Sequence, residues 1–225
     1  MMDHHVYSAL EAAIKTYGEK SGNSVDSLLA RVLRVLESDD AFLEKVSQLD
    51  EAVDDYPAFE ELREVIFDLL LINFFAADVK KLESDYLESA EWEDIEEQTI
   101  DRGTEILNLL LYLRECVDEE IEPQLEDYLK EFLLVDEDEF QDEYRIYEPI
   151  IANQLLVDSS YREIAEVSTK IPESQELSEL FYPIMGFFYE QRPTAEDLNE
   201  YVRYSKKKAL DLSVYNLLVA YNHSL

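Results

Sequence analysis

Four carboxylates at helical spacing carry the most definite chemistry in this sequence. Glu61-Leu62-Arg63-Glu64 and Glu91-Trp92-Glu93-Asp94 each set two acids three residues apart, so that on a helix each pair faces one way. Two antiparallel helices carrying such pairs could offer Glu61, Glu64, Glu91 and Asp94 to Mg2+. A hard cation of that kind takes oxygen ligands and bridges substrate phosphates. The chemistry would be nucleotide hydrolysis.

Two acidic clusters point to a different use. Asp118-Glu119-Glu120 with Glu122, and Asp136-Glu137-Asp138-Glu139 with Asp142 and Glu143, concentrate negative charge in short stretches. A ridge of one sign steers a cationic protein and raises its association rate. The second cluster is not an EF-hand loop, because counting from Asp136 puts Phe140 and Gln141 where an acid and the obligatory glycine belong.

The four-carboxylate pattern resembles, in spacing alone, that of helical nucleotide pyrophosphatases of the MazG type. These carry Glu-x-x-Glu on one helix and Glu-x-x-Asp on the next, and the resemblance implies Mg2+ and pyrophosphatase-like activity. Yet acids fill 53 of 225 positions, and Glu-x-x-Glu also occurs at Glu88/Glu91, Glu93/Glu96, Glu119/Glu122, Glu163/Glu166, Glu173/Glu176 and Glu176/Glu179. Spacing in so acidic a chain does not select a site. The first expectation is therefore a non-enzymatic interaction module that binds a basic protein partner through its acidic middle, as an inhibitor, DNA mimic or chaperone-like protein. The Mg2+-dependent hydrolase is the second.

Other chemistries find little support. The chain has 4 Gly, and neither a Rossmann turn nor a P-loop is among its motifs. Each of the three histidines is preceded, three positions earlier, by Met1, Met2 or Ala220, which excludes the Glu-x-x-His pairs of a di-iron bundle. Cys116 shares a helical face with Leu109 and Leu113 and has Glu115, Asp118 and Glu119 nearby. It reads as a buried core thiol, since neighbouring acids disfavour the thiolate. No catalytic residue and no obligatory cofactor are assigned.

The charge balance narrows the partners. With 19 Lys+Arg against 53 Asp+Glu the net charge is −34, and displacing counterions from a nucleic acid needs the opposite sign. Residues 1–34 are neutral and residues 201–225 carry +3, so −37 falls in the middle, of which −21 lies in residues 83–148. Hydrophobic residues at 47% predict a packed core rather than a solvated acidic chain. The start lacks the charged and apolar regions of a signal peptide. The most apolar run, Val65 to Ala77, is interrupted by Asp68 and Asn73 and falls short of the ~20 residues of a membrane span. A cytoplasmic protein with no membrane partner is expected.

The elements that must position these groups are helical. Leu28, Leu29, Val32, Leu33 and Leu36 form a stripe on one face, and the density of apolar residues between Phe59 and Val79 predicts a central helix. The periodicity places helices at about 3–18, 24–37, 40–53, 57–85, 90–117, 121–134, 138–157, 159–170, 174–190 and 195–221. Ser160 with Glu163, and Thr194 with Asp197, are capping patterns, while Pro183 in an apolar run predicts a kink or a break between two short helices. The expectation is all-α: a multi-helix bundle or short stack of antiparallel helix pairs with nine to ten helices. It would form a single domain over 1–225, with a possible subdivision near 134–138.

Overall fold

The computed structural model describes residues 2–77, 84–132 and 146–223. Among them ten helices have seven or more residues and there is no strand, so the all-α expectation holds. The subdivision expected near 134–138 lies outside the described residues.

Helix α1 (His4–Ser21) begins where Asp3 accepts hydrogen bonds from the backbone N–H of His5 at 2.9 Å and Val6 at 3.2 Å. It ends at Gly22, whose φ of 76° closes the last turn. Val6, Leu10, Ala13, Ile14 and Tyr17 line its buried face, the spacing of an amphipathic helix. That face packs along α13 (Lys208–His223), which answers with Leu210, Val214, Leu217, Leu218 and Tyr221.

Helix α4 (Arg63–Ala77) is the expected central helix. Val65, Ile66, Phe67, Leu69, Leu70, Leu71, Ile72 and Phe75 are all buried, on more than one face, because α1, α3 (Phe42–Asp54) and α7 (Ile106–Glu119) all pack on it. It is shorter than the 57–85 the periodicity predicts. Pro57 starts a separate 3-10 turn, Pro57–Leu62, and α4 follows from Arg63. Helix α2 (Asp26–Glu37) packs beside α3. The one-turn α5 (Ser84–Leu87) precedes α6 (Ala90–Thr99), in which Ile95 alone is buried. After α7 come the short α8 (Leu125–Asp127) and α9 (Glu148–Ala152), then α10 (Tyr161–Ser168), α11 (Phe181–Tyr189) and α12 (Ala195–Tyr204).

Two of the breaks in the predicted helices have a clear chemical cause. The helix expected over 90–117 stops at α6 and resumes at α7, because Gly103 adopts φ 87° and the residues around it are held by carboxylates of α4. The helix expected over 195–221 divides between α12 and α13. There the buried Asp211 carboxylate accepts from Ser205 Oγ at 2.7 Å and from the Lys207 N–H at 3.2 Å, fixing a turn. Thr194 and Asp197 form a complete capping box on α12. Pro183 produces no kink, since it falls in the first turn of α11, where an N–H has no partner to lose.

Gly103 cannot be replaced cheaply. A Cβ there would lie 2.7 Å from Asp68 Oδ1 in a left-handed conformation. Gly103→Ala is expected to lower stability by about 2–3 kcal/mol, measured as a shift of the urea midpoint at constant slope. An unchanged midpoint would show that this loop is not fixed by α4.

Three tyrosines form a buried stack where α11, α12 and α13 meet. Tyr201 lies between Tyr182 and Tyr215, each with ring centroids 4.5 Å away and near-parallel planes. Its hydroxyl donates to Asp211 O at 3.1 Å, and Tyr182 donates to Tyr201 O at 2.9 Å. Gly186 on α11 leaves the room, because a Cβ there would sit 2.7 Å from the Tyr201 ring.

Candidate functional site

Glu64 and Asp68 stand one helical turn apart on α4 and both reach the loop before α7. Glu64 accepts from Arg102 Nε at 3.0 Å and from the Gly103 N–H at 2.7 Å. Asp68 takes the Thr104 N–H at 3.0 Å and Thr104 Oγ at 2.6 Å. Arg102 also meets Asp50 of α3 in a two-pronged pair, both contacts at 3.0 Å, and lies 4.8 Å from the centre of the Phe67 ring. Arg63 shares Asp50 and adds Asp54 and Glu60. Two guanidinium groups thus join α3, the 3-10 turn, α4 and the loop into one network.

Asp68 is fully buried, and desolvation pushes its carboxyl well above the ordinary range, opposed by the two Thr104 bonds and reinforced by the charges of Glu64 and Glu105. Burial raises Asp211 as well. A raised carboxyl pKa means the folded chain holds a proton that the unfolded chain releases, so stability falls as pH rises through that window. Within it each carboxyl contributes up to about 1.4 kcal/mol per pH unit. Asp3, Glu60 and Asp197 are shifted down by their hydrogen-bond partners, and their contribution is lost only below the ordinary carboxylate value. Stability is therefore expected to increase on acidification toward the ordinary carboxylate range, as the raised carboxyls take up protons, and to fall below that range, where the depressed ones are protonated. Asp68→Asn should flatten the rise, as followed by melting temperature across pH. Identical profiles for the two proteins would refute this assignment to Asp68.

Beside this network lies a cavity of about 600 Å³, lined by Glu60, Glu61, Glu64, Asp101, Glu105 and Glu179, with Arg102 and the backbone of Gly103. Glu61 accepts the hydroxyl of Tyr17 at 2.7 Å. Burial, and then Glu61 itself, pushes Tyr17 up to about 12. Glu91 and Asp94 are elsewhere. They are exposed on α6 and line a separate groove of about 450 Å³ between α6, α4 and the α2–α3 connection. The four carboxylates of the Mg2+ pattern thus divide two and two between different cavities. Among the described residues no group of three or more His, Cys, Asp or Glu is placed to hold a metal ion.

The groove joins an apolar floor to an acidic rim. Leu36, Phe42, Leu43, Leu70, Phe74 and Ile95 form the floor, and Asp39, Asp40, Glu91 and Asp94 the rim. Lys45 also lines it, with its ammonium directed to the Leu36 carbonyl at the end of α2, 3.1 Å away.

Asp118, Glu119 and Glu120 are exposed at the C-terminal end of α7 and Glu122 follows. The helix dipole disfavours anions there, and Glu120 takes the left-handed conformation at φ 57°. Glu122 meets Arg192 at 3.4 Å. Asp136, Glu137, Asp138, Glu139, Asp142 and Glu143 lie outside the described residues. Cys116 is buried, as its spacing predicts.

Asp50, Arg63, Arg102 and the role of Asp68 are not legible as a constellation in the sequence. The available signal is a lone acid inside an apolar helix, which must find donors when it folds. No helix among the described residues is long and apolar enough to cross a membrane. No protein-family model, curated protein or solved structure matches the chain.

Proposed function

We propose that the protein is a non-enzymatic binding module that recognises a basic protein partner through its acidic middle. One observation carries this reading: several cations are taken up by acids of other elements while the acidic run of α6 is not. Arg63, Arg102 and Arg114 are turned to acids of other elements, and Lys207 pairs with Glu179. By contrast α6 carries Glu91, Glu93, Asp94, Glu96 and Glu97 with no basic residue. None of these five makes an ion pair among the described residues, and neither do Glu119 and Glu120 on α7.

Chance placement of acids explains their number but not their position. Glu91 and Glu93 gain from the first-turn dipole of α6, whereas Glu96, Glu97, Glu119 and Glu120 stand near helix C-termini, where the dipole opposes them. A cationic partner would offset both that penalty and the mutual repulsion. Association of such surfaces is steep in salt, because exposed charges are screened beyond ~8 Å at physiological ionic strength.

The test is capture of basic proteins from native extract on the immobilised chain at about 50 mM and about 500 mM salt. Retention at low salt that is lost at high salt is expected, as is weaker retention by a variant with Glu93, Glu96, Glu97, Glu119 and Glu120 changed to Gln. Retention equal at both salts and in the variant would refute the reading.

A further inference from the structure

The groove between α6, α4 and the α2–α3 connection carries more information than acidity alone. An acidic surface by itself selects only charge. This one borders a concavity of about 450 Å³ in which half-buried Leu43 and Phe74 present apolar surface above the buried Leu36, Phe42, Leu70 and Ile95, in the size range of ligand clefts. Phe42 and Phe74 pack with ring centroids 4.7 Å apart, and Phe42 is braced by Phe67 of the central helix. The floor is therefore held by the core.

The rim draws its charge from two separate elements. Asp39 and Asp40 come from the α2–α3 connection, Glu91 and Asp94 from α6. Asp40 is oriented by Gln48 Nε2 at 2.9 Å and Asp94 by Gln98 Nε2 at 2.8 Å. Both donors are neutral amides, so neither acid loses its charge to its partner. Lys45, the one cation lining the groove among the described residues, directs its ammonium at the Leu36 carbonyl and also attracts Asp40, leaving the rim strongly negative.

Resting on the reading of the protein as a module for a basic partner, we propose that this groove docks a cationic amphipathic helix of that partner. Its apolar side chains enter the floor, and its Lys and Arg side chains reach the acidic rim. This is recognition of a helix in a groove, with apolar anchors at i, i+3, i+4 and i+7 for affinity and charge for orientation. A purely polar basic chain would leave the floor unfilled. A purely apolar one would leave the rim charges desolvated without partners.

The experiment uses the full chain and a fluorescein-labelled synthetic peptide of about 18 residues with Leu on one helical face and Lys on the other. Its control has the same composition scrambled so that no face exists. Anisotropy gives the affinity, and Trp92, the sole tryptophan, packed on Phe75 and Tyr86, reports events at α6.

The amphipathic peptide is expected to bind at least about tenfold more tightly than the scrambled one, with a change in Trp92 emission. Leu43→Gln, at the floor, and Glu91→Gln with Asp94→Asn, on the exposed rim, should each weaken it by about tenfold or more. Glu119→Gln with Glu120→Gln, outside the groove, should leave it unchanged. Circular dichroism confirms that each variant is folded.

Equal binding of the two peptides, or equal loss in the α7 variant, would overturn the groove and leave the basic-partner reading standing. Absence of binding by the amphipathic peptide, while basic proteins are still captured at low salt, would likewise overturn the groove alone. Salt-independent capture would instead remove the reading on which it rests.

Discussion

Tyr201→Ala is expected to lower the free energy of unfolding by about 3–5 kcal/mol, the range for truncating a fully buried aromatic residue. Tyr201 is fully buried, stacks on Tyr182 and Tyr215, and meets Tyr161 edge-on with centroids 5.3 Å apart. Four elements, α10 to α13, lose a shared contact when it goes. For a chain of this length that loss corresponds to a fall of roughly 10 °C in melting temperature. Tyr201→Phe separates ring from hydroxyl. It keeps the stack and removes only the donor to Asp211 O, so about 1 kcal/mol is expected. Equal effects of the two substitutions in urea titrations would show that the stack contributes nothing.

The second large effect concerns charge. Arg102→Ala leaves Glu64 without its cation and Asp50 with Arg63 alone, and removes the guanidinium from the Phe67 ring. Breaking a buried pair typically costs 3–5 kcal/mol, but Asp50 and Glu64 keep about a third of their side-chain surface in water, so roughly 2–3 kcal/mol is expected. Arg102→Lys should recover less than half, because an ammonium cannot meet Asp50 with two parallel bonds and Glu64 with a third. In a double-mutant cycle with Asp50→Ala the coupling should be at least about 1 kcal/mol. Additive losses would mean that the pair is a surface contact of no consequence.

The contrast between these sites explains what could be read in advance. Helical class and the central position of α4 follow from periodicity, which is local and survives any arrangement of the other helices. The breaks at 100–105 and at Ser205 to Lys207 do not, because carboxylates from other turns or other helices make them. Asp68 captures Thr104 across 36 residues, and Asp211 reaches back over its own first turn. Neither acid differs in type from dozens of solvated ones. The carboxylate pairs at Glu61/Glu64 and Glu91/Asp94 each line one cavity, but spacing along the chain carries no information about which cavity that will be. For the same reason Asp39 and Asp40, half of the groove's rim, gave no signal. Their significance comes from sharing the groove with α6.

The pairing of α1 with α13 has a temporal consequence. Val6, Leu10, Ala13 and Ile14 find their main partners about two hundred residues later in Leu210, Val214, Leu217 and Leu218, and His5 and Thr16 are joined by hydrogen bonds to Tyr221 and Asn216. During synthesis α1 emerges roughly 10–40 s before α13 exists, at roughly 5–20 residues per second. Its sticky face must wait, and closing so long a loop is entropically slow. Until α13 has been made, the apolar face of α1 lacks its main cover in the folded chain.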